Sequence, residues 1–390
     1  MAHALIKTFD VGLGDCIFFV LNNGERQFSI MIDCGRYDDS IGNYVASELG
    51  NHIDLLIITH IDEDHVVGVQ ELLSNAKDLK IDRIIFNCAQ LTKVQPKDLP
   101  PSAKEAMEKI KNSKAKKGGR KKEVSALQSL LLSSQILGSE GLRVAWGTQE
   151  VYVTAASAPL DLGEGFGSLT FLSPNEEDIF RLDRKFRKAF VDNFYMKYEG
   201  PYSEESSLYE MLLCGLSKPV SVIKRISHVG LSVHQLKSLA SDDVTPSITD
   251  ANKASLAFMW ECNGRRVLFC GDADPQAIVY NFLRNNNLPN GQYAIFDAIK
   301  VPHHGSAHNC GSKFWDTFDS ENIFITGSDN EWERPSKLCL AKIVARPCEN
   351  PRTLRFTQSN KTIEWLQSDP KVADALKYNL TKDCEYGFEY

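Results

Sequence analysis

None of the ten cysteines forms a C-x-x-C pair, which argues against a zinc ribbon and a thioredoxin-type redox motif. No apolar run approaches the ~18 residues that a membrane span needs, and the opening MAHALIKTFD has no signal-peptide pattern. Positive charge is not in excess: 44 Lys and Arg against 51 Asp and Glu leave a formal charge of −7. That argues against a wholesale polyanion binder, though not against a local basic groove. No short motif repeats. The expectation is a soluble, cytoplasmic chain in a reducing compartment, in which Cys16, Cys34, Cys262 and Cys270 pack as small hydrophobes in strand-like runs.

With 390 residues, 43% hydrophobic and 24% charged, the chain can bury a sizeable core. ALIKTFDVG, DCIFFVL and QFSIMIDCG read as strands, the last two joined by a turn at NNGE. A short helix is expected over 40–50. HIDLLIITH is a continuous apolar strand, HVVGVQELLSNA has helical spacing, and IDRIIFN is a strand again, an α/β unit. Strand character resumes at SLTFLSP and in the hairpin SLAFMWECNGRRVLFCGDAD, whose turn is Asn263-Gly264. A helix over 275–287, a strand AIFDAIKVPHH, a helix near 311–319, a strand NIFITG and a helix from Pro335 follow. The reading is one α/β domain over 1–390 with insertions at about 90–165 and 176–250.

The stretch THIDEDHVVG crowds His60, Asp62, Asp64 and His65 where a strand ends and a helix begins. Ligand sites collect there in open α/β folds. Asp and neutral His are the usual oxygen and nitrogen donors for zinc, manganese or iron, and this loop can feed two ions. Asp64 alone could be explained as an acid favourable to the helix start; two histidines and three acids could not. Two later strand ends add Asp272, in LFCGDAD, and His303-His304, in KVPHHGS. Each is weak alone; together, each at a strand end, they are strong.

These stretches resemble the metallo-β-lactamase-fold hydrolases, and within them the soluble domain of ComEC-type DNA-uptake proteins and its stand-alone relatives. FDVGLGDCIFFV resembles the opening strand pair of that subfamily, and MIDCG supplies Asp33, the first motif acid. THIDEDHVVG has the subfamily's His-x-Asp-x-Asp-His form, and KVPHHGS its His-His-Gly-Ser motif. The resemblance implies an αββα sandwich. It departs at Asn252, where many relatives carry a histidine ligand, and at Arg334, where His-Pro-Ser is usual.

The resemblance further implies a metal-dependent hydrolase, most readily a dinuclear phosphodiesterase or nuclease using a hydroxide that bridges two divalent ions, manganese or zinc, with magnesium as an alternative. His60 and Asp62 would hold one ion; Asp64, His65 and one of His303 and His304 the other; Asp272 would bridge. Asp64 and Asp272 are the acids expected to matter most for the rate. Asp33 would orient a ligand histidine, and Asn252, Ser306 and Arg334 would line the rim. Lys116, Lys117, Arg120, Lys121 and Lys122, in the run KNSKAKKGGRKKE, are candidates to contact nucleic acid, against the plainer reading of a solvated loop. Nucleic acid or nucleotide is the expected substrate, a membrane is not an expected partner, and a protein partner could use the insertions. Two alternatives are another hydrolase of the fold (lactonase, thioesterase or cyclic-nucleotide esterase) and a non-catalytic interaction protein.

Overall fold

The apolar run at 52–58 forms strand β4 (His52–Ile58). Its side chains alternate: Leu55 and Ile57 enter one apolar core, Leu56 and Ile58 another. Both faces are therefore covered, which is why the run shows no polar alternation. In a computed structural model describing residues 2–76, 78–87, 132–133, 135–136, 138–147, 152–181, 230–289, 291–330 and 332–390, β4 lies inside a six-stranded sheet. Its other members are β1 (His3–Thr8), β2 (Ile17–Asn22), β3 (Gln27–Ile32), β5 (Lys80–Phe86) and β16 (Glu385–Glu389), in the order β16-β1-β2-β3-β4-β5. An eight-stranded sheet comprises β6 (Leu160–Asp161), β7 (Ser168–Ser173), β8 (Ala257–Cys262), β9 (Arg265–Phe269), β11 (Ala298–Lys300), β13 (Asn322–Ile325), β14 (Arg352–Phe356) and β15 (Tyr378–Thr381). Its order is β15-β14-β13-β11-β9-β8-β7-β6.

The two sheets share the inner core, where Phe19 and Ile57 of the first meet Phe258, Trp260 and Phe269 of the second. The outer face of the first sheet packs on helices α1 (Asp39–Ser47) and α2 (Glu63–Asn75). That of the second packs on helices including Pro275–Asn285 and Lys337–Val344. The result is the four-layer αββα arrangement, each sheet twice covered. The hairpin between β8 and β9 turns at Asn263 and Gly264, both with positive φ (50° and 79°), as a two-residue hairpin turn requires.

Three features differ from the sequence reading. AIFDAIK is two strands, not one: β10 (Ala294–Phe296) pairs with β12 (Phe318–Ser320) in a separate small sheet, and β11 joins the large one. The break is at Asp297, whose N–H donates to Arg266 O and whose carboxylate accepts from Arg266 N–H, both at 2.8 Å. The segment beyond 350 adds β14, β15, β16 and two helices, with β16 running antiparallel to β1. Finally, the described parts of the expected insertions contribute to the core. Helix Glu140–Gly147 buries Trp146 against β5, its Nε1–H donating to Phe86 O, and helix Val233–Ala240 buries Leu236 and Leu239 in the outer core of the second sheet.

Strands β3, β4 and β5 are parallel, as are β9, β11, β13 and β14. Their carboxyl ends therefore open at common edges, and Asp33, His60, Asp272 and His303 each follow one of them.

Candidate metal centre

Asp33 leaves β3 with φ 56°, a left-handed conformation that is uncommon for a non-glycine residue. The turn aims its carboxylate at three donors. Oδ1 accepts from Thr59 N–H at 2.7 Å; Oδ2 accepts from Thr59 Oγ1 at 2.6 Å and from His65 Nδ1 at 2.7 Å. With its proton held on Nδ1 by a carboxylate, the His65 ring presents a bare Nε2. Thr59 Oγ1, having given its proton to Asp33, faces His60 Nδ1 at 3.0 Å as an acceptor. His60 is thereby set in the same tautomer.

His303 and His304 follow β11 in consecutive left-handed conformations (φ 45° and 53°), which splay the two rings apart. His304 Nδ1 donates to Thr326 O at 2.9 Å, so its Nε2 is also bare. The Nε2 atoms of His60, His65 and His304 and Asp272 Oδ1 are all buried and lack a hydrogen-bond partner among the described residues. Asp272 Oδ1 stands 3.6 Å from His65 Nε2 and 3.5 Å from His304 Nε2. Oδ2 of the same carboxylate stands 3.9 Å from His60 Nε2 and 3.4 Å from His303 Nε2. Asp64 closes the first side, 3.9 Å from His65 Nε2 and 3.7 Å from His304 Nε2. Asp62 closes the second, 3.6 Å from His60 Nε2. Asp62 is the N-cap residue of α2, yet its side chain makes no capping bond. Helix capping therefore does not account for it.

The electrostatics reflect this crowding. Burial alone would raise the Asp272 carboxyl, but His303, His304 and His65 hold it well below the usual range. Asp64 is likewise depressed against its burial, by His65 and His304. Burial would lower His304, but Asp272 and Asp15 push it up to about 9, and Asp33, Asp272 and Asp64 raise His65 in the same way. His303 goes the other way, down to about 3, through burial and the Arg334 guanidinium. A cluster that binds protons this readily offers the same lone pairs to a cation, and the two compete. The donor set of imidazoles and carboxylates fits divalent ions of the manganese and zinc type.

One residue of the site escaped the sequence reading. Asp15, in VGLGDC, is 1% exposed and reaches Thr326, His304 and Lys300. Lys300 is buried beside it, 3.9 Å from Asp272 Oδ1. The signal for Asp15 was an acid between Gly14 and Cys16 at the head of an apolar strand, where an unpaired charge is costly.

The remaining candidates are spread around this centre. Asn252, 3% exposed, sets Nδ2 3.2 Å from His303 Nδ1 and 3.4 Å from its Nε2; Asn309 Oδ1 lies 2.8 Å from the same Nδ1. Ser306 lies in the turn after the histidine pair, its N–H donating to His303 O. Arg334 stands at the base of a short hairpin, paired with Asp329 through two backbone bonds. Lys116, Lys117, Arg120, Lys121 and Lys122 lie outside the described residues.

Residues 10–81 match the family model of the metallo-beta-lactamase superfamily. No curated protein matches the chain in sequence. Among solved structures, the metallo-beta-lactamase fold protein YhfI from Bacillus subtilis aligns over 100% of both chains at 10% identity, with a TM-score of 0.38.

Proposed function

We propose that the chain is a metal-dependent hydrolase of phosphodiesters, with nucleic acid or a nucleotide as substrate. The observation that carries this reading is the shared tautomer of His60, His65 and His304. Each commits its Nδ1 to a fixed acceptor and turns toward the Asp272 carboxylate an Nε2 that has no hydrogen-bond partner among the described residues. Buried donors left bare around a buried carboxylate need a cation to satisfy them.

Two divalent ions suit the two sides of Asp272. Asp64, His65 and His304 would hold one with Oδ1; His60 and Asp62 would hold the other with Oδ2, where His303 is a further nitrogen. Asn252 leaves that second side without the histidine many relatives carry, and it instead braces His303. When bound, such a pair lowers the pKa of water from ~15.7 toward ~7 and neutralises charge on a phosphoryl oxygen.

The chain's own residues do the rest. Asp33 keeps the proton on His65 Nδ1, and Thr59 keeps it on His60 Nδ1. Arg334, permanently charged and close enough to His303 to depress it, would draw an anionic ester to the rim but transfers no proton. Lys116, Lys117, Arg120, Lys121 and Lys122 would follow the backbone of a long nucleic acid; neutralising them should flatten the salt dependence of its binding.

The test is elemental analysis followed by assays with manganese, magnesium and zinc on plasmid, single-stranded DNA, RNA, cyclic nucleotides and a chromogenic phosphodiester. Close to two ions per chain and phosphodiester turnover are expected. Turnover of a lactone or thioester alone would move the chain to another hydrolase chemistry, and a chain that takes up no metal would sink the reading.

A further inference from the structure

Asp15 reaches the donor cluster but is engaged elsewhere. Its carboxylate lies within 4.8 Å of donor atoms of Asp272 and His304, and within the same span of Asp33 and His65. A carboxylate at that range is well placed to join a divalent ion, manganese and magnesium above all. Yet Oδ2 is ion-paired to Lys300 Nζ, while Oδ1 accepts from Thr326 Oγ1 and stands 3.4 Å from His304 Nδ1. Lys300 is 2% exposed and is itself fixed, donating to Gly271 O at 3.0 Å.

We propose that Lys300 withholds Asp15 from coordination, and so limits the number of oxygen ligands at the metal centre while keeping Asp15 as an acceptor beside the His304 ring. The inference rests on the metal-centre reading above. The charges suit it: Asp15, Asp33, Asp62, Asp64 and Asp272 are matched by two divalent ions together with the Lys300 ammonium. With the ammonium removed, Asp15 is the carboxylate without a cation of its own, and the ions are the nearest ones available. Lys300 is in these terms a positioning residue, acting through Asp15.

Calorimetric titration of Mn2+ and of Zn2+ into the wild-type chain, Lys300→Met, Asp15→Asn and the double variant tests it, with folding checked by circular dichroism. Lys300→Met should favour Mn2+ over Zn2+ by about tenfold more than wild type, because a freed oxygen donor hardens the site. Asp15→Asn should weaken both metals in the same proportion, by about 10–100-fold as for other groups that orient a ligand, with both ions still bound at saturation. The double variant should return the Mn2+/Zn2+ ratio to the wild-type value, since no carboxylate is left to release. An unchanged ratio in Lys300→Met overturns the proposal. So does an Asp15→Asn chain that loses one ion at saturation or loses Mn2+ selectively, for Asp15 would then be a ligand already. If Lys300→Met does not fold, Asp15→Asn decides alone. A wild-type chain that binds neither metal removes the metal-centre reading itself, a result distinct from either of these.

Discussion

Asp33 Oδ2 and His65 Nδ1 lie 2.7 Å apart, and both side chains are wholly buried. The pair fixes which ring nitrogen of His65 is free. Asp33→Asn replaces a pure acceptor with a group that can donate, so the ring can move its proton to Nε2. Metal affinity should fall by about 10–100-fold with the chain still folded. Isothermal titration of manganese measures this; affinity equal to wild type would show that Asp33 does not govern the ring.

Asp64 sits in the first turn of α2 with its carboxylate toward His65 and His304. Asp64→Asn keeps its size and removes its charge. Turnover on the phosphodiester found for wild type should drop about 10²–10⁴-fold, whereas an acid that served only the helix start would cost about 1 kcal/mol of stability and leave activity intact. Full activity in this variant would refute the assignment of the loop.

Close backbone approach gives a third prediction. A Cβ on Gly14 would meet Asp64 O at 1.5 Å, and one on Gly35 would meet the same atom at 2.1 Å. Neither contact can relax by turning a side chain. Gly14→Ala should displace the start of α2 and cost metal binding, whereas Gly311→Ala, with nothing within 4 Å among the described residues, should be neutral in both stability and metal content. Equal metal uptake by the two variants would show that the packing of Gly14 against Asp64 is dispensable.

Far from the metal centre, Asp319 accepts from Arg346 at 2.8 Å and from Arg352 at 3.0 and 2.7 Å. Burial would raise its carboxyl, but the bonds from Arg352 and the charge of Arg346 bring it below the usual range. A depressed carboxyl stabilises the fold above its unfolded-state pKa of ~3.9, and that stability is lost as pH falls through the folded-state value. Asp319→Asn leaves two buried cations short of a counter-charge and should cost about 3–5 kcal/mol at pH 7. In urea titrations the gap between wild type and variant should be constant from pH 7 to 5 and shrink below pH 4; a gap that widens in acid would contradict the linkage.

What the sequence makes legible is what is local. His60, Asp62, Asp64 and His65 fall within six positions, and Asn263-Gly264 announces its own turn. The division of work between His303 and His304 is not local. It depends on two successive left-handed residues and on Thr326, 22 positions on from His304, accepting from its ring. Asp15 and Lys300 meet across 285 positions of chain, so neither shows its partner to a reader of the sequence. The split of AIFDAIK also hangs on a distant contact, between Asp297 and Arg266 on the neighbouring strand. Strand β16 was missed because EYGFE is short and half polar, and its residues are largely exposed.

The pairing of β1 with β16 has a consequence for synthesis. His3 is opposite Glu389, so one edge of β1 waits for a strand encoded at the far side of the described fold to leave the ribosome. At about 5–20 residues per second that wait is tens of seconds. Through it β1 carries a row of unpaired amides and carbonyls, and Lys7, which later meets Glu385, is the charge on that edge that discourages a second nascent chain from taking the place of β16.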